Sequence, residues 1–101
     1  MADDEFSSEE GKLRVESGEG HTARSLLENP LLVETFETLR NKYREALETA
    51  PIGDLEGLQG LLIMLRMVSE VEDHIREVVD TGKLANARLD EIRSIREARN
   101  G

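Results

Sequence analysis

Glu70 and His74 are four apart and would share one face of a helix, with Asp73 and Glu77 close by, so these four are candidate metal ligands. Carboxylate and imidazole donors so arranged would suit a divalent transition metal. A carboxylate-bridged centre in a helical bundle uses Glu-x-x-His, however, and the residue three before His74 is Val71. His74 therefore reads as a structural or solvated histidine. His21 has no co-ligand at useful spacing. The chain contains no cysteine, which removes thiolate metal ligation, disulfides and sulfur redox chemistry. Gly18, Gly20, Gly53, Gly57 and Gly60 fit neither the P-loop nor the dinucleotide pattern, and no nucleophile–base–orienter set is suggested. The expectation is a non-enzymatic protein with no cofactor and no metal.

Two other groups of side chains point to binding. Arg88, Arg93, Arg96 and Arg99, preceded by Lys83, make the end of the chain locally basic, with Asp90, Glu91 and Glu97 interleaved. Pairing along one helix accounts for that pattern; a docking strip for an acidic surface, even the chain's own N-terminal segment, is the alternative. No aromatic side chain alternates with these arginines, so the pattern does not favour single-stranded nucleic acid. The second group is Leu61-Leu62-Ile63-Met64-Leu65. Five consecutive apolar residues on a helix face every direction, more than one partner helix can cover. Together with Met67, Val68, Val71 and Ile75, these residues are the expected oligomer interface.

The elements that position these groups follow from caps and periodicity. Residues 1–21 hold Asp3, Asp4, Glu5, Glu9, Glu10, Glu16 and Glu19 among Ser and Gly, against Lys12 and Arg14. So little apolar surface predicts a disordered acidic tail, with Phe6, Leu13 and Val15 as short anchors if a partner orders it. Thr22 can cap a brief helix that stops before Pro30. Asn29-Pro30 reads as N-cap and first helical residue, and Leu32, Phe36, Leu39, Tyr43, Ala46 and Ala50 follow as an amphipathic stripe. Pro51, Gly53 and Asp54 then reverse the chain, so an antiparallel hairpin is expected. The second long helix starts after Asp54, and Thr81-Gly82-Lys83 looks like its end, with glycine in the left-handed cap. Gly57 and Gly60 indicate a close backbone approach or a frayed first turn. Leu84, Ala85, Leu89, Ile92, Ile95 and Ala98 extend a helical stripe as a third helix or a kinked continuation. The predicted organisation is a tail (1–21), a hairpin oligomerisation domain (22–82) and a C-terminal helix or tail (83–101), all-α throughout.

Composition narrows the class. With 101 residues, 3% aromatic, 38% hydrophobic and 35% charged, one hairpin cannot build a large core, and a second copy of the chain is the expected cover. A net charge of −9 and a pI of about 4.7 oppose general binding to a phosphate backbone. No apolar run approaches the roughly 20 residues that span a bilayer, and the start lacks a secretion signal. A soluble, cytoplasmic protein with no membrane partner is expected.

The stretch from Leu27-Glu28-Asn29-Pro30-Leu31 to Gly82-Lys83-Leu84-Ala85 resembles small helical proteins of tailed phages and prophages. Over residues 26–85 it is similar in outline to the oligomerisation hairpin of phage small terminase subunits. That resemblance implies a ring-forming subunit in DNA packaging or head assembly, whose partners are itself and another packaging or head component. The chain departs from the terminase plan in having an acidic segment, not a basic helix-turn-helix, ahead of the hairpin, so direct DNA reading is not implied. The alternative function is an acidic inhibitor or nucleic-acid mimic that occupies a basic groove on a partner protein.

Overall fold

A computed structural model describes residues 5–100. They form three helices, α1 (Ser7–Glu28), α2 (Pro30–Thr49) and α3 (Leu55–Asn100), and no strand occurs among the described residues. The chain is all-α. Residue contacts divide it into two units: residues 1–25 with 76–101, and residues 26–75.

Within residues 26–75 the local signals act as the sequence suggests. Asn29 is extended (φ −73, ψ 116), and its side chain accepts hydrogen bonds from the Leu31 N–H at 2.9 Å and the Leu32 N–H at 3.3 Å, with Pro30 opening α2. Two of the donors a helix start leaves orphaned are thereby satisfied. At the other end Ala50 is extended before Pro51. Asp54 then starts α3, its Oδ1 accepting from the Gly57 N–H at 3.0 Å and its carbonyl from the Leu58 N–H at 3.0 Å. The first turn is therefore capped rather than frayed. The antiparallel α2/α3 seam buries Phe36 and Val68 and carries a two-pronged ion pair from Arg40 to Glu72, at 3.3 and 3.4 Å.

Two expectations fail in the other unit. The segment expected to be a disordered tail is helical from Ser7, and Thr22 lies inside α1 rather than starting a helix; residues 1–4 lie outside the described residues. The second failure is Gly82, which is not a helix end: α3 runs through it without a break, and among the described residues no glycine has positive φ. Both failures have one cause. Gly20 and Gly82 face each other where α1 packs antiparallel on α3. A Cβ added to Gly20 would lie 2.7 Å from the Gly82 Cα and 3.2 Å from the Val78 carbonyl; one added to Gly82 would lie 2.7 Å from the Gly20 Cα and 3.1 Å from the Glu16 carbonyl. Backbone meets backbone, which only glycine permits. Beside this contact Ala23, Val79, Ala85 and Ile92 are buried, and Phe6 closes the far end. The close approach anticipated at Gly57 or Gly60 is made at these glycines instead; a Cβ at Gly60 would meet nothing within 4 Å.

The glycines of α1 and α3 should therefore respond oppositely to alanine. Gly60→Ala and Gly18→Ala, where a Cβ enters open space, should raise stability by about 0.5–1 kcal/mol through helix propensity. Gly20→Ala and Gly82→Ala should lower it by about 1–3 kcal/mol, because the neighbouring atoms are backbone and cannot move aside cheaply. Urea or thermal denaturation of the four variants measures the contrast.

Candidate functional site

Burial is distributed unevenly between the two units. Among the described residues, 26–75 contain two buried hydrophobic side chains, Phe36 and Val68, yet carry ten of the twelve large hydrophobics that stand exposed. A solitary exposed Leu is ordinary; a contiguous row is not. Four-residue steps place Ile63, Met67 and Val71 in one row along α3 with Met64 beside it, and these side chains are 45–55% exposed. Next to that row Phe36, Leu39 and Tyr43 of α2 and Met64, Met67, Val68 and Val71 of α3 enclose an open, apolar hollow of about 260 Å³. Two unbranched methionines form much of its wall, and their flexible chains let such a surface adapt to a partner.

The structure thus separates the nine residues expected at an oligomer interface. Ile63, Met64, Met67 and Val71 share the exposed row and Leu62 is exposed at 57% on another side of the helix, whereas Val68 is buried in the hairpin seam and Leu61, Leu65 and Ile75 are half-buried.

In the unit built from residues 1–25 and 76–101, Phe6 sits beneath three guanidinium groups, 5.6 Å from Arg88, 5.9 Å from Arg96 and 5.6 Å from Arg99. Each arginine also holds a carboxylate of the N-terminal segment: Arg88 to Glu9, Arg96 to Glu10 and Arg99 to Glu5, at 2.5–2.6 Å. Glu10 is buried, and Arg14 one turn along α1 adds a second cation at 3.4 Å. Of the four arginines expected to meet a partner, three are therefore turned onto the chain's own acidic segment. Arg93 pairs along its own helix with Asp90 at 3.2 Å, and Arg88 also reaches Glu91 at 2.9 Å, so both modes of pairing occur.

The sequence offers the N-terminal segment as one partner for the arginines, and the structure shows that pairing, but sequence reasoning did not single out Glu9 and Glu10 within it or Gly20 and Gly82 as a contact. The signal available was a seven-residue rhythm through Phe6, Leu13, Gly20 and Leu27, with Glu10 and Ala23 at the intermediate steps. Among the described residues, no three His, Asp or Glu side chains are grouped to hold a metal ion, and no helix is long and apolar enough to cross a membrane.

The Arg88 hydrogen bond and charge hold the Glu9 carboxyl below its ordinary value of 4.5, while partial desolvation opposes the shift. A depressed folded-state value contributes stability above the unfolded pKa that is lost as pH falls through the folded one. Glu9→Gln should accordingly melt below the parent at pH 7, and the difference should shrink as pH falls below 4.5 and through the depressed folded-state value. Circular-dichroism melts across an acid pH series measure this. A difference that persists unchanged in acid would show that the charge of Glu9 plays no part.

Comparisons of the chain with protein families, curated proteins and solved structures gave no match.

Proposed function

We propose that this chain is a non-enzymatic assembly module, which pairs with further copies of itself through the apolar face of residues 26–75 and serves as an adaptor for another protein. The observation that carries this reading is the imbalance just described: ten exposed large hydrophobics on a hairpin with two buried ones. A second copy fits that face because a row of Ile63, Met64, Met67 and Val71 can interdigitate with its own symmetry mate, the self-complementary arrangement of a two-fold interface. A role as a phage packaging or head-assembly subunit is the narrower form of the proposal, and it rests on the resemblance over residues 26–85.

Charge supplies a signature that distinguishes this from the inhibitor reading. Residues 26–75 hold ten acidic and four basic side chains, so like charge opposes the approach of two copies. Added salt screens that repulsion and strengthens hydrophobic pairing, whereas a complex between an acidic inhibitor and a basic groove weakens with salt. The N-terminal segment is also a less available inhibitory element, since Glu5, Glu9 and Glu10 are engaged by arginines of the same chain.

Sedimentation equilibrium at micromolar concentration should report a mass above 11.4 kDa that rises further between low and high salt. The double substitution Ile63→Asp and Met67→Asp, at exposed positions, should return the chain to monomer while leaving helix content unchanged. A parent protein that remains monomeric across that range overturns the proposal.

A further inference from the structure

The Gly20–Gly82 contact leaves a second feature that self-assembly does not use. Alongside it, in the unit of residues 1–25 and 76–101, lies a hollow of about 320 Å³ lined by both glycines, Gly18, Val79 and the side chains of Ser17, His21, Arg24, Lys83 and Asn86. No carboxylate lines it. The chain as a whole carries a net charge of −9. Elsewhere in this unit Arg14, Arg88, Arg93, Arg96 and Arg99 are each paired with an acid. Among the described residues Arg24 and Lys83, like Lys12, have no such partner, and the two face the same space from opposite helices.

Neutral donors complete the lining. The Ser17 hydroxyl donates to Oδ1 of Asn86, which orients that amide and leaves its two Nδ2 protons uncommitted. The His21 imidazole adds a further N–H. A guanidinium, an ammonium, an amide and an imidazole around a space without acids match the needs of a multiply charged oxyanion: positive charge on two sides and several N–H donors. We propose that this hollow binds a phosphate group, as the free anion or as the end of a phosphomonoester. Arg24 and Lys83 supply the charge, Asn86 and His21 the neutral donors, and the absence of side chains at Gly18, Gly20 and Gly82 the room.

Asn86 provides a test that leaves the cations in place. Its amide lines the hollow, so Asn86→Leu removes that donor, places an apolar side chain against the anion and improves the local helix propensity. The full chain is titrated with inorganic phosphate, and separately with glycerol 1-phosphate, at constant ionic strength and followed by amide NMR shifts. Saturable shifts in the millimolar range, centred on Gly18, His21, Gly82, Lys83 and Asn86, are expected. The monoester binding more tightly identifies an esterified ligand as the better fit; tighter inorganic phosphate identifies the free anion. Asn86→Leu, and Arg24→Gln combined with Lys83→Gln, should each weaken binding by about tenfold or more, equivalent to about 1.4 kcal/mol. Lys12→Gln removes another cation of the same unit that has no acidic partner among the described residues and lies outside the hollow, and should change nothing. Linear, unsaturable shifts would overturn the assignment, as would equal loss in Lys12→Gln or undiminished binding in Asn86→Leu.

Discussion

Where Gly20 meets Gly82, two helices touch through their backbones with no side chain between them. Much of the unit formed by residues 1–25 and 76–101 follows from that contact. Close approach at one point brings the flanking small side chains Ala23 and Ala85 into the seam, where both are buried, and leaves Ile92 wholly enclosed. It also fixes the register: once Gly20 stands opposite Gly82, antiparallel running carries Phe6 and the acids at 5, 9 and 10 to the arginines at 88, 96 and 99. Exposed ion pairs are individually weak. Here they converge on one aromatic ring, and the buried Glu10 is met by Arg96 and Arg14, so the group is satisfied rather than stranded.

The hairpin of residues 26–75 is built on different terms. Its caps are complete and its seam is defined, but a two-helix layer has flanks as well as a seam, and on this hairpin the flanks are apolar. Nothing in the capping chemistry requires Ile63, Met64, Met67 and Val71 to be hydrophobic; a hairpin that functioned alone would gain solubility from polar residues there. In the other unit the opposite holds, with Val15 and Leu84 as its exposed large hydrophobics. The contrast within one chain is what gives the apolar row its meaning, since composition alone cannot distinguish a small core from an interface.

How much could be read from the sequence depended on whether the signal was local. The start of α2 and the reversal before α3 are written in neighbouring residues: Asn29 before Pro30, and Asp54 three residues before the N–H it accepts. Stripe periodicity places Phe36 and Val68 in the seam in the same way. α1 is a non-local case. Gly11, Gly18 and Gly20 lower the intrinsic helix tendency, and what offsets that cost lies more than sixty residues away, in Gly82 and in the arginines that meet Glu9 and Glu10. The periodic placing of Phe6, Leu13, Gly20 and Leu27 was visible, but its value depends on a partner surface that sequence does not display. Gly82 was misread for a related reason. Glycine ends helices because it tolerates positive φ, and it also permits helices to touch; only the backbone angle, which is not positive here, separates the two.

The exposed row and the phosphate-sized hollow draw on the same residue economy in opposite ways. On the hairpin, large apolar side chains are placed where the fold does not need them, and a partner's surface would remove them from water. At the glycine contact, side chains are withheld where the fold demands close approach, and Arg24 and Lys83 border the space left beside it. Glu28 follows Arg24 by four residues and Asp80 precedes Lys83 by three, yet neither acid lines that space. Residues 17, 18, 20, 21, 79 and 86, which share that lining, are Ser, Gly, Gly, His, Val and Asn, all uncharged or cationic. Side chains of these kinds leave Arg24 and Lys83 as the charge that borders the hollow, which is the arrangement the proposed anion site uses.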